Sequence, residues 1–136
     1  MSLNIYLTMN GTSEAAMNFY KEATNGTIHN IMRFGEQNPE ASETEKDQVM
    51  HGIMEIHGNT VMFSDGGDRH KVTIGDNFSM SLNFTNQEDI DREFAALSAG
   101  GTVTMPLQDT FWGAYFGMCT DKFGINWMFN YDRPKA

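Results

Sequence analysis

The chain has 136 residues, of which 40% are hydrophobic and 20% charged, a globular composition long enough for one sizeable core. Nine basic residues against eighteen acidic ones give a net charge of −9, which repels phosphate backbones and anionic lipid and argues against nucleic acid or membrane as partner. No apolar run approaches a membrane span or a signal-peptide core, and the single cysteine, Cys119, forms neither an internal disulfide nor a CxxC zinc site; a cytoplasmic location is the expectation.

Asn4–Met9 alternates, with Ile5, Leu7 and Met9 on one face, and predicts a strand. Thr12 or Ser13 is a candidate N-cap for a helix reaching about Lys21–Ala23, with an apolar stripe of Ala15, Ala16, Phe19 and Tyr20. Asn25-Gly26 supplies a left-handed stop. Strands are predicted near Thr27–Phe34, Val49–His57 and Thr60–Ser64, the last two joined through Gly58-Asn59. Between them, residues 35–48 (GEQNPEASETEKDQ) hold five acidic side chains and a proline and read as a solvated loop. Phe78, Met80, Leu82 and Phe84 alternate, and a helix is predicted from about Gln87 to Ser98, broken by Gly100-Gly101. Strands near Thr102–Leu107, Tyr115–Thr120 and Ile125–Tyr131 complete the chain.

The second series repeats the first. Offset by 75 residues, Leu7 falls on Leu82, Phe19 on Phe94, and Gly26-Thr27-Ile28 on Gly101-Thr102-Val103. Later the offset drops to 65 or 66, where Gly52 meets Gly117 and Met62-Phe63 meets Met128-Phe129; the acidic loop accounts for the difference. The organisation expected is one domain over 1–136, built of two pseudo-repeats at about 1–66 and 77–136, because halves of about 65 residues are too small to be comfortable alone.

Period-two counting divides the strands into two faces. One carries Ile5/Leu7/Met9, Met50/Met54/Ile56, Val61/Phe63, Met80/Leu82/Phe84 and Ile125/Trp127/Phe129, and belongs beneath the helices. The other mixes polar and apolar groups: Tyr6, His51/Ile53/Glu55/His57, Met62, Ser81/Asn83, Phe116/Met118 and Met128/Asn130. Such a face is either bathed in water or wrapped around a ligand, and Met62, Phe116, Met118 and Met128 favour a partly dry cavity. The eleven methionines are read first as core filling and second as adaptable pocket lining.

His51, aimed at that face, is a candidate general base or hydrogen-bonding anchor, and equally a histidine satisfied by a neighbour. Glu55 is the second catalytic candidate, about 13 Å from His51 along the strand, too far to share an ion without help from another strand. His29 has no evident neighbour. Trp112 suits a binding wall, a subunit contact or the core, whereas Trp127 falls on the helix side. Cys119 reads as a buried small hydrophobe. P-loop, GxGxxG, HExxH and GxSxG patterns are absent.

Two βαβββ modules, Asn18-Phe19-Tyr20, Met50-His51-Gly52, Met62-Phe63-Ser64-Asp65, Gly101-Thr102-Val103-Thr104-Met105-Pro106-Leu107, Phe111-Trp112-Gly113 and Thr120-Asp121-Lys122-Phe123-Gly124-Ile125-Asn126-Trp127 together resemble the PhnB-like branch of the vicinal oxygen chelate superfamily. That superfamily holds glyoxalase I, extradiol dioxygenases and the fosfomycin and bleomycin resistance proteins. The resemblance implies an α+β fold of curved mixed sheets around a cavity with helices outside. It also implies homodimerisation and, in the family's metalloenzymes, a divalent ion held by first and last strands of the modules. On this chain those positions are Asn4 or Tyr6, Met62, Ser79 and Met128, poor ligands for a hard cation. The expectation is therefore a metal-free protein without cofactor that binds a small organic molecule through Tyr6, Met62, Ser81, Trp112, Phe116, Met128 and Asn130. The alternative is a metal-dependent lyase or dioxygenase of the glyoxalase type, with a site rebuilt around His51 and Glu55. Some PhnB-like sequences carry a methyltransferase label, for which this chain shows no Gly-rich nucleotide loop.

Overall fold

The computed structural model describes residues 1–135. The chain divides into two units, Met1–Thr73 and the segment from Ile74 onward. The first holds β1 (Ile5–Met9), α1 (Ser13–Thr24), β2 (Thr27–Arg33), a helical turn α2 (Phe34–Gln37), β3 (Val49–Ile56) and β4 (Asn59–Asp65). The second holds β5 (Met80–Phe84), α3 (Gln87–Ser98), β6 (Thr102–Asp109), β7 (Ala114–Thr120) and β8 (Asn126–Asp132). Each contains a four-stranded mixed sheet, ordered β1-β4-β3-β2 and β5-β8-β7-β6. In each, the first strand pairs in parallel with the last and the other pairs are antiparallel. The fold is the α+β, twice-repeated βαβββ architecture that the periodicity and the resemblance predict. The repeat extends to register: Tyr6 opposes Met62 in the first unit, and Ser81 opposes Met128 in the second.

Helix α1 covers one face of the first sheet through Ser13, Ala16, Met17, Tyr20, Ala23 and Thr24, a three-and-four spacing of buried residues. Met17 belongs to this stripe and Ala15 lies outside it, exposed, one position out of phase with the expected stripe. Beneath α1, Leu7, Met9, Met54, Ile56, Val61 and Phe63 are buried. Ile90 and Leu97 of α3 are buried in the second unit, as are Cys119, Trp127 and Phe129 of its sheet. Two first-unit members of the predicted core face differ. Ile5, at the start of edge strand β1, is 39% exposed. Met50 is half-buried while Val49 is fully buried, because the register jumps between Met32 opposite His51 and Arg33 opposite Val49. A β-bulge there reverses the alternation, which period-two counting cannot anticipate. Leu82 and Phe84 of β5 are likewise only half-buried.

The helix termini use different devices. Thr12 makes no side-chain cap on α1. Instead Asp65, buried at the end of β4, accepts the Ser13 N–H at 3.0 Å and the Val49 N–H at 2.9 Å, placing a carboxylate at the positive helix end. Asn25 closes α1 in the left-handed region as expected, at φ 56°. In the second unit Asn86 caps α3 locally, accepting from the Asp89 N–H at 2.8 Å.

The β3–β4 turn lies one residue earlier than predicted. His57 and Gly58 both have positive φ, the two-residue primed turn that matches strand twist, so His57 sits in the turn rather than on the strand face. Gly26 and Gly101, paired by the repeat, have a common steric cause. A Cβ on Gly26 would lie 2.6 Å from the Glu55 carbonyl oxygen, and one on Gly101 closer still to that of Thr120. The acidic segment 35–48 is not simply a solvated loop. It opens with α2, and Phe34 N–H donates to Gln48 O and Gly35 N–H to Lys46 O at 3.1 and 2.9 Å. Ser42 donates to Asp68 at 2.5 Å, and Arg33 donates to both oxygens of Glu14 at 2.8 Å and to the Asp47 carbonyl. That forked pairing holds the Glu14 carboxyl below the usual carboxylate range.

Candidate functional site

In the first unit the face away from α1 carries Tyr6, His51, Glu55 and Met62. Its orientation is fixed by neighbours: Val61 and Phe63 flank Met62 and are buried, with Phe63 meeting the Tyr20 ring of α1 at 6.0 Å. Tyr6 Oη and His51 Nδ1 lie 2.9 Å apart, and the rings are 5.7 Å apart and tilted by 38°. This bond reaches over β4, since Tyr6 stands on β1 and His51 on β3. Two predicted site residues from distant parts of the sequence are thereby brought together.

Glu55 is not joined to them. Its carboxylate meets His29 Nε2 at 3.2 Å, both side chains being about half exposed. His29 does therefore have a neighbour. The register passes from Ile28 opposite Met54 to Asn30 opposite Ile53, leaving His29 as the extra residue of a bulge that re-aims its side chain. No alternation pattern marks a bulge, so the His29–Glu55 pair was not legible in the sequence.

In the second unit, the face away from α3 has Ser81 opposite Met128, Met118 opposite Met128, and Phe116 and Asn83 opposite Asn130. Asn130 donates to Asn83 Oδ1 at 3.3 Å and to Asp132 Oδ1 at 3.1 Å. Met118, Met128 and Phe116 are half-buried. A hollow of about 300 Å³ opens near the β7–β8 turn, walled by Ser79, Thr104, Met118, Thr120 and Asn126 with Asp76 at its side. Ser81, Phe116, Met128 and Asn130 lie on the same sheet face outside that wall. Trp112 is 57% exposed in the β6–β7 connection, edge-on to Phe111 at 5.0 Å and to Phe116 at 6.1 Å, which removes its core reading. It borders a separate hollow of about 320 Å³ with Asp132 and Arg133.

Asp121 of the last resemblance motif and Cys119 just before it are both structural. Asp121, buried, accepts the Phe123 and Ile125 N–H groups through one oxygen and the Trp127 indole N–H through the other, at 2.8, 3.1 and 2.8 Å. The Asp-x-Phe-Gly signature is thus the lock of the β7–β8 turn. Cys119 is buried beside it, and burial together with the Asp121 charge pushes its thiol up to about 12, so no thiolate nucleophile is available.

The divalent ion that the resemblance implies would fall on the first and last strands of each module. Register pairs Met128 with Ser81, not Ser79, making Tyr6/Met62 and Ser81/Met128 the equivalent positions. Hydroxyls and thioethers do not fit a hard divalent cation. Among the described residues no three His, Cys, Asp or Glu side chains are grouped to hold a metal, around His51 and Glu55 or elsewhere. None of the described helices is long and apolar enough to cross a membrane.

Comparison with known proteins places this geometry. Residues 2–129 match the family model described as 3-demethylubiquinone-9 3-methyltransferase. Protein PA1353 from Pseudomonas aeruginosa is 36% identical, with 98% of this chain and all of that one covered and a TM-score of 0.84. A putative 3-demethylubiquinone-9 3-methyltransferase, PhnB protein, from Bacillus cereus is 27% identical over 96% of this chain and 99% of that one, with a TM-score of 0.83. A glyoxylase/bleomycin resistance protein/dioxygenase domain from Frankia sp. EAN1pec, 15% identical, covers 100% of this chain and 94% of its own with a TM-score of 0.69, and shares the fold. The family match over residues 2–129 and these likenesses agree: the chain belongs to the PhnB-like family, whose model is described as 3-demethylubiquinone-9 3-methyltransferase, and it shares the fold of a glyoxylase/bleomycin resistance protein/dioxygenase domain.

Proposed function

We propose that this protein binds a small, uncharged organic molecule on the sheet faces turned away from its helices, and that it does so in the cytoplasm as a homodimer. One observation carries the reading: on both sheets, thioether groups stand half-buried among hydrogen-bonding groups, with Phe116 half-buried beside them on the second. Met62 lies beside the Tyr6–His51 pair; Met118, Met128 and Phe116 lie beside Ser81, Asn83 and Asn130. A plain solvent face gains nothing from methionine, whereas a binding face gains adaptable, polarizable contact. Each sheet offers its own surface: on the first, Tyr6 and His51 supply a polar anchor beside Met62, and on the second, Ser81 and Asn130 supply hydrogen-bonding groups while Trp112 and Phe116 offer aromatic surface.

The family name denotes a methyl transfer, and the β1–α1 turn of this chain is a poor fit for its usual cofactor. Asn10-Gly11-Thr12 joins β1 to α1 with a single glycine, and the α1 terminus is already taken by the Asp65 carboxylate. That turn offers no Gly-rich cradle for a nucleoside-bearing cofactor. For want of a hard-donor set, lyase or dioxygenase chemistry at His51 and Glu55 has no support beyond the fold.

The test is a thermal-shift screen of the full chain against uncharged aromatic compounds, followed by calorimetry. A binder at a concentration 100 times its Kd stabilises the native state by about 2.7 kcal/mol. Expected are hits whose affinity drops on His51→Ala or Met128→Ala. Hits unaffected by either change, or a uniformly silent screen, overturn the reading.

A further inference from the structure

The first sheet carries a set of soft donors on the face turned away from α1. His51 stands opposite Met32 across β2 and β3, so their Cβ atoms are about 5 Å apart on one face. A Cβ on the intervening Gly52 would run into the Met17 side chain of α1 at 2.7 Å, which confirms that Gly52 looks toward the helix and His51 away from it. Met62 opposes Ile53, two residues along from His51, and is therefore its diagonal neighbour on the same face, at about 7 Å. The His51 ring also leans over β4, the strand of Met62, to reach Tyr6. One imidazole and two thioethers, all half-buried, stand within the sweep of flexible methionine side chains.

The Tyr6 bond orients the imidazole. The bond engages Nδ1 and leaves Nε2 free of that contact; in the tautomer whose Nδ1–H donates to Tyr6 Oη, the Nε2 lone pair is available to a metal. Metal-binding histidines are commonly held in this way, with a second group bonded to the ring nitrogen turned away from the metal and fixing the ring's orientation. Thioethers reject hard divalent ions and favour soft monovalent ones. The geometry points to a binding site for a soft monovalent d10 cation, Cu(I) in its natural form, built from His51 Nε2, Met32 Sδ and Met62 Sδ, with Tyr6 as positioning residue. The site needs no organic ligand, so it stands or falls apart from the function proposed above.

The experiment uses the full chain and silver nitrate in chloride-free buffer, with Cu(I) competed against a chromophoric chelator as the second probe. One cation per chain is expected, and the ε-methyl 13C resonances of Met32 and Met62 move on binding while those of Met118 and Met128 stay. Met32→Leu and Met62→Leu keep the side-chain volume, and each lowers affinity. Tyr6→Phe lowers it by about tenfold, and Cys119→Ala leaves it unchanged. The proposal is overturned by absence of binding, by methyl shifts confined to the second unit, by indifference to both leucine substitutions, or by loss of binding in Cys119→Ala.

Discussion

Cys119 and Asp121 illustrate how a motif residue and a reactive residue can both be structural. Burial and the neighbouring carboxylate raise the Cys119 thiol to about 12, so at pH 8 the native protein should be inert to a disulfide exchange reagent. Unfolded chains return the thiol to its ordinary value near 8.5 and should react fully. Because the folded value is the higher one, this group's contribution to stability is complete below about pH 8.5 and declines as pH rises through that unfolded value. Stoichiometric labelling of native protein would show Cys119 to be open. At the same scale, Tyr6 and His51 were each legible as members of the mixed face by counting in twos. Their 2.9 Å bond was not, because it depends on β1 and β3 flanking the same strand.

The elements were legible where local chemistry decides them. Alternation placed every strand of both sheets to within a few residues, Asn25 ended α1, and the glycine pair Gly26 and Gly101 flagged the repeat. Where a remote group intervenes, local reading fell short: α1 begins under Asp65, 52 residues away, rather than under Thr12. Replacing Asp65 by Ala strands two buried N–H groups, and loss of about 3 kcal/mol in urea denaturation is expected, each orphaned donor costing about 1–3 kcal/mol. A loss no greater than that of Thr12→Ala would show that the carboxylate does not cap the helix. The Arg33–Glu14 pair, which ties β2 to α1, makes a smaller claim. Glu14 is held below its ordinary value, so its contribution is present above about pH 4.5 and fades as acid titrates the folded carboxylate. Both side chains are partly exposed, so this amounts to at most about 1 kcal/mol. Glu14→Gln should flatten the acid limb of the urea midpoint against pH by that amount; an unchanged limb would show the pair to be idle.

For the molecule as a whole, the association state is the measurement nearest to hand. Phe111 is 98% exposed and Trp112 57%, adjacent aromatics that water does not favour. Light scattering is expected to report a dimer, and Trp112→Ala to shift it toward monomer at low micromolar concentration; a monomer at every concentration would refute the homodimer. The sequence by itself determined the βαβββ repeat and the division of most strands into a helix side and a mixed side, because hydrophobic periodicity and the spacing of turn residues are local quantities written along the chain. The family was legible in its motif residues, such as the run 120–127. Tertiary structure alone decided the two bulges in β2–β3 pairing, the His29–Glu55 and Tyr6–His51 partnerships and the placing of Met32 opposite His51. Strand order and register are settled by packing between segments tens of residues apart, and a bulge shifts a partner without leaving a mark on either strand's own pattern.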